Sequence, residues 1–177
     1  MRLPLMHQMR KKKILKIFSW VVTNIQPVPT GLHVIDDHLF NVIIRGYGAS
    51  DQRTETFGLL ASCMGFYASS LKLTPPGNQK GIFVSLIKSK HDIWIFDIVN
   101  QIAFRDADGH LVDLHNLIAN PSLIERAAGD LIIEGIPYPK YILYISALQP
   151  DFSRLEAQKP FPRIRQVFGR LLRCFQN

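Results

Sequence analysis

The sequence predicts an α+β fold in which N-terminal helices pack on an antiparallel β-sheet and a further helix closes the chain. Three observations carry that expectation. Apolar residues recur at helical spacing in residues 13–24 and 50–64. Short apolar runs of strand length follow at 66–73, 82–88 and 92–98, separated by turn residues. At the end, Ile164, Val167, Phe168, Leu171, Leu172 and Phe175 share one helical face. Helices gathered ahead of hairpin-linked strands give an α+β layout rather than the alternation of a parallel sheet.

Taken in order, residues 1–12 read as a flexible basic leader. Ile14, Ile17, Phe18, Val21 and Val22 then define a helix with its lysines outward, ended by Pro27 and Pro29. A short helix or irregular segment covers 37–44. Gly46 and Gly48 flank Tyr47 in a tight turn, and Phe57, Leu60, Ala61 and Met64 mark a helix that Gly65 stops. The Pro-Pro-Gly-Asn run at 75–78 is a loop, and Ser89-Lys90-His91 has the length of a hairpin connection. Residues 103–111, around Asp106-Ala107-Asp108-Gly109, fit a further hairpin. Residues 114–118 suit a helix capped by Asp113, and 121–129 another. The aromatic run 138–147 is compatible with helix or strand. Residues 13–150 thus form the predicted domain, and 151–177 a basic amphipathic tail.

The 177 residues suit one domain, and 47% hydrophobic with 20% charged residues are ordinary values for a chain with a real core. The net charge of +7 is concentrated at the ends. Arg10, Lys11, Lys12, Lys13 and Lys16 cluster at the start; Arg163, Arg165, Arg170 and Arg173 cluster at the finish. Such ends suit an anionic surface, although solvated basic tails are common without one. Two cysteines, Cys63 and Cys174, cannot build a disulfide framework and fit a reducing compartment. The apolar run after the first basic cluster is broken by Lys16 and lacks a cleavage site, and no stretch reaches the ~20 apolar residues of a membrane span. A cytoplasmic protein is the expectation; the tail's apolar face is expected to dock on the domain's own core with its arginines exposed, peripheral membrane contact being the alternative.

The informative motif is Arg45-Gly46-Tyr47-Gly48-Ala49-Ser50-Asp51-Gln52. A nucleophile opening a helix feels the macrodipole and the unpaired backbone N–H groups, and small residues before it admit a substrate. The plainer reading is that Ser50 is a helix N-cap, with Asp51 adding negative charge in the first turn. Asp106-Ala107-Asp108-Gly109 resembles part of a calcium loop but lacks the downstream glutamate. Asp36-Asp37-His38 is too local to close a metal site. No phosphate loop or zinc spacing occurs, so neither metal nor cofactor is implied.

The motif resembles the nucleophile turn of bacterial transglutaminase-like proteins of the papain-like superfold, where Gly-x-Cys-Asp-Gln opens a helix. Ser50 stands at the cysteine position. The run from Phe57 to Ala68 is similar to the helix and turn that follow, and residues 20–27 to the family's first helix. Ile93-Trp94-Ile95-Phe96-Asp97 resembles the strand ending in the family's aspartate, which makes Asp97 the counterpart. The spacing then puts the histidine position at Ile82, and Leu86 where a glutamate is frequent.

The resemblance therefore implies a family member without the family's chemistry, its relic triad being Ser50, Ile82 and Asp97. Serine needs a base more than cysteine does, and isoleucine supplies none. His33, His38, His91, His110 and His115 remain as substitutes, with His38 the nearest in sequence to the turn. The leading expectation is a non-catalytic binding or scaffold protein, its surface formed by Tyr47, Gly48, Gln52 and Trp94. By analogy the partner is a protein or a glycan-linked peptide. Packing of Ile82, Phe83 or Trp94 into the cleft would argue against catalysis and against cleft binding. Two alternatives remain: an acyl-transfer enzyme or hydrolase with an altered Ser50 site, and a peripheral adaptor. The adaptor would use Arg163, Arg170 and Arg173 of the C-terminal helix on an anionic membrane; nucleic acid is the weaker partner.

Overall fold

The computed structural model describes residues 3–36, 38–90, 92–148 and 150–152. It shows helices packed on a four-stranded antiparallel sheet. Helix α1 (Leu3–Asn24) carries the buried row Ile14, Ile17, Phe18 and Val21 toward the sheet. It begins ten residues before position 13, so most of the segment read as a flexible leader is helical.

After α1 comes β1 (Gln26–Pro27), and α2 (Leu39–Arg45) follows a stretch with a turn at 30–31. Strand β2 (Tyr47–Gly48) pairs in parallel with β1, with Gln26 opposite Tyr47 and Pro27 opposite Gly48. Helix α3 (Ser50–Cys63) follows at once. It ends near Gly65, whose φ of 81° is the left-handed conformation glycine tolerates.

The main sheet has the order β3 (Tyr67–Leu73), β4 (Ile82–Lys88), β5 (Ile93–Asp97) and β6 (Ile102–Ala103), every neighbouring pair antiparallel. Ser85 lies opposite Phe96. A further bridge pairs Arg105 with Leu111. Asp113 caps α4 (Leu114–Ala119) by accepting from the His115 N–H, as its position ahead of that segment predicts. Then come α5 (Ser122–Ala128), the short ribbon β7 (Ile132–Ile133) and β8 (Ile136–Pro137), and α6 (Tyr138–Leu143). A 3₁₀ turn over Tyr144–Ala147 continues α6, so residues 138–147 are helical.

Strand alternation divides the core into two layers. On one face, Ile87, Trp94, Phe96 and Ile98 pack with α1 and α3. Phe18, Phe57 and Phe96 form a ring cluster there, with centroids 4.9–6.0 Å apart. On the other face, Ile82, Val84, Leu86 and Ile95 pack with Tyr138, Tyr141 and Ile142 of α6 and with Leu117 and Ile124. No helix among the described residues is long and apolar enough to cross a membrane. The tail expected as an amphipathic helix, with Arg163, Arg170 and Arg173, lies outside the described residues.

Candidate functional site

The turn from Arg45 to Gln52 is built by close backbone packing. Gly46 ends α2 with φ 75°, its N–H donating to Val42 O. Gly48 is buried, and a Cβ there would sit 2.9 Å from Val42 Cγ1 and 3.2 Å from Gln52 Cβ. Glycine is therefore required for α2, β2 and α3 to meet. The N-cap of α3 is Ala49, not Ser50 as capping chemistry suggested. Ser50 occupies the first helical position and is exposed, and its carbonyl accepts from Thr54 Oγ1 at 2.8 Å.

Gln52 performs the capping that Ala49 cannot. Its Oε1 accepts from the Ala49 N–H at 3.1 Å and from Arg45 Nη2 at 3.0 Å. Its Nε2 donates to Ile35 O at 2.7 Å. Arg45 Nε donates to Tyr47 O at 2.8 Å, and its guanidinium lies 5.2 Å from the Tyr47 ring centre. Gln52 and Arg45 thus pin the segment around Ile35 beside the start of α3. That segment has neither helix nor strand and is exposed, with Leu32, Val34 and Ile35 each at least half exposed, and Ile44 on α2 is 82% exposed.

Among the described residues, no hydrogen bond links Ser50 to the other relic positions. Phe96 faces α3 through Phe57, so Asp97, the next residue of β5, faces the α6 layer. Asp97 is fully buried. Its Oδ2 accepts from the Tyr138 hydroxyl and from Asn100 Nδ2, both at 2.8 Å, and its Oδ1 accepts from the Asn100 N–H at 2.9 Å. Burial pushes this carboxyl above the ordinary range, while the bonds from Asn100 and Tyr138 pull the other way. Burial, with the adjacent carboxylate, pushes the Tyr138 hydroxyl upward too, so it stays a donor. Ile82 belongs to the same α6 layer. Trp94, expected to line the binding surface, is instead completely buried on the α1 face.

The buried Arg53 and Tyr138 and the half-buried Asn100 lie around Asp97, and no motif in the sequence pointed to them. Arg53 Nε donates to Ile25 O at 2.9 Å. Burial lowers its pKa, and the nearby Asp97 opposes that shift. The sequence carried no signal for Arg53; it is the structure that shows Thr54, Thr56 and Phe57 beside it to be buried.

His38 and His110 are engaged elsewhere, and no hydrogen bond links any described histidine to Ser50. His38 Nδ1 accepts from the Phe40 N–H, capping α2, and its ring stacks on Phe40. His110 lies 3.6 Å from Asp106. His91 and Asp37 lie outside the described residues. Asp106, Asp108 and His110 bring potential metal ligands within 4.8 Å of one another, all exposed. Asp106 Oδ1 already accepts from the Asp108 and His110 N–H groups, so a tight turn accounts for the cluster. Chemically, the start of α3 offers an exposed hydroxyl at a helix N-terminus and, among the described residues, no hydrogen-bonded base. Comparison with protein-family models, curated proteins and solved structures finds no match for this chain.

Proposed function

We propose that the chain is a non-catalytic protein of the transglutaminase-like, papain-related class, acting as a binding or scaffold module. The observation that carries the non-catalytic part of this reading is that Ser50, exposed at the start of α3, has no hydrogen-bonded base among the described residues, while the Asp97 carboxylate is taken up by Tyr138 and Asn100. A serine hydroxyl without a base in hydrogen-bond reach is a poor nucleophile.

The family's turn then serves as a structural joint, and its partner is a protein. Leu32, Val34, Ile35 and Ile44 support that choice, because exposed apolar side chains held in place beside a rigid turn suit a protein surface better than a glycan.

The test is acyl-transfer and ester-hydrolysis assays on the purified chain, on Ser50→Ala and on the double variant Ser50→Cys, Ile82→His. All three are expected at the uncatalysed background. Turnover by the natural chain that Ser50→Ala abolishes overturns the proposal. Turnover gained by the double variant shows that the relic positions do converge, and rejects the geometric argument.

A further inference from the structure

We infer that the groove between the basic half of α1 and the end of α3 binds an acidic phospholipid at a membrane surface. The inference is independent of the transglutaminase-like reading, since it uses none of the positions that carry the resemblance.

Helix α1 bears Arg10, Lys11, Lys12, Lys13 and Lys16 and no acidic residue; the first acid in the chain is Asp36. Its second half is anchored by Ile14, Ile17, Phe18 and Val21. The preceding turns are fixed on the end of the sheet by their cations. Arg10 Nη2 donates to Gly65 O at 3.3 Å, with its guanidinium 5.2 Å from the Phe66 ring centre. Lys11 Nζ donates to Leu111 O at 3.3 Å and stands 5.9 Å from the Trp94 ring. The basic stretch is thus a placed surface.

Between these contacts lies a groove of about 390 Å³ lined by Met9, Arg10, Lys13, Met64 and Phe66. Among the described residues its apolar lining is the exposed Met9, the half-buried Met64 and the buried Phe66 ring, and its charged groups are both cationic. Lys12, Lys13 and Lys16 make no hydrogen bond or ion pair among the described residues. A soluble anion would satisfy the cations and leave the apolar wall wet. A neutral apolar molecule would do the reverse. An acidic phospholipid meets both, its phosphate on Arg10 and Lys13 and its glycerol and upper acyl carbons on Met9 and Met64. Flexible methionines suit so irregular a ligand. The negative membrane surface also attracts the exposed Lys12 and Lys16.

The test is co-sedimentation of the full chain with phosphatidylcholine vesicles, with and without about 30% phosphatidylglycerol, a composition that sets the surface potential. The chain is expected to partition onto the acidic vesicles only. Lys13→Gln should lower the partition about fivefold, the change expected for one basic residue at such a surface. Met9→Asp and Ser19→Asp add the same charge at exposed positions of α1, inside and outside the groove. The first should lose at least about tenfold and the second under about twofold, since only the first puts a charge against the lipid. Circular dichroism of each variant checks that α1 is intact. Equal losses from the two aspartates assign binding to diffuse charge, the C-terminal arginines included, and overturn the groove. Equal partition onto neutral vesicles overturns the phospholipid. Displacement by inorganic phosphate, beyond that by chloride of equal ionic strength, identifies a soluble anion and overturns the membrane.

Discussion

Asp97 shows how one buried charge couples the fold to pH. Its native carboxyl holds its proton more tightly than the unfolded chain does, because burial outweighs the donors around it. A raised native pKa means that the folded state binds more protons across the interval between the two values, so stability falls as pH rises through it. The decline therefore starts near the ordinary aspartate value of ~3.9 and levels off above the raised native one. Urea midpoints across this interval should fall in the natural chain and stay flatter in Asp97→Asn. Tyr138→Phe removes a donor that favours the carboxylate. It should extend the decline to higher pH and destabilise by about 1–3 kcal/mol. Asp106 is shifted the opposite way by the N–H of His110. Its contribution is present above the unfolded pKa and fades as pH falls through the depressed one. The residue-scale role of Gln52 is separate. Its three bonds join Ala49, Arg45 and Ile35. Gln52→Ala should cost about 1–3 kcal/mol and speed proteolysis within residues 31–36, read as the rate of first cleavage under native conditions.

At the scale of elements, the joint between α2, β2 and α3 depends on Gly48, whose missing side chain lets Val42 and Gln52 close over it. Gly48→Ala forces a methyl group into that contact and should destabilise by about 1–3 kcal/mol through overpacking, measured as a shift of the thermal midpoint. The helix α3, the strands β3 to β5 and the Asp113 cap were legible in the sequence, because each follows from local periodicity or a local hydrogen bond. The first turns of α1 were not. Lys11, Lys12 and Lys13 interrupt the apolar repeat, and what holds them is long-range: Arg10 on Gly65, and Lys11 on Leu111 one hundred residues away. The cap of α3 was misplaced by one residue because Ser50 has the better capping side chain. Local propensity yielded there to the chain path imposed by the β1–β2 pairing, which leaves Ala49 extended and Ser50 helical.

At the scale of the whole molecule, the alternation along β5 told that Trp94 and Phe96 share one face and Ile95 and Asp97 the other, but not which helices cover each. That assignment depends on α6, whose aromatic run had no preferred state in the sequence, and it decides that Asp97 is bonded to Tyr138. The same arrangement makes the sheet the common wall of two cores, one with α1 and α3 and one with α4 to α6. Strands β4 and β5 contribute to both, so neither core can open without exposing the back of the other. Phe96→Ala and Ile95→Ala test this from adjacent positions on opposite faces. Each truncates a buried side chain and should destabilise by about 2–5 kcal/mol, within the 5–15 kcal/mol typical of a domain. Both indoles, Trp20 and Trp94, report the α1 side, whereas far-ultraviolet circular dichroism reports the whole molecule. In urea, the two signals should shift together in both variants, because a wall shared by two cores unfolds as one unit. A dichroism midpoint lowered by Ile95→Ala while tryptophan emission holds its own would mean that the α6 layer melts alone, and that the sheet does not couple the two sides.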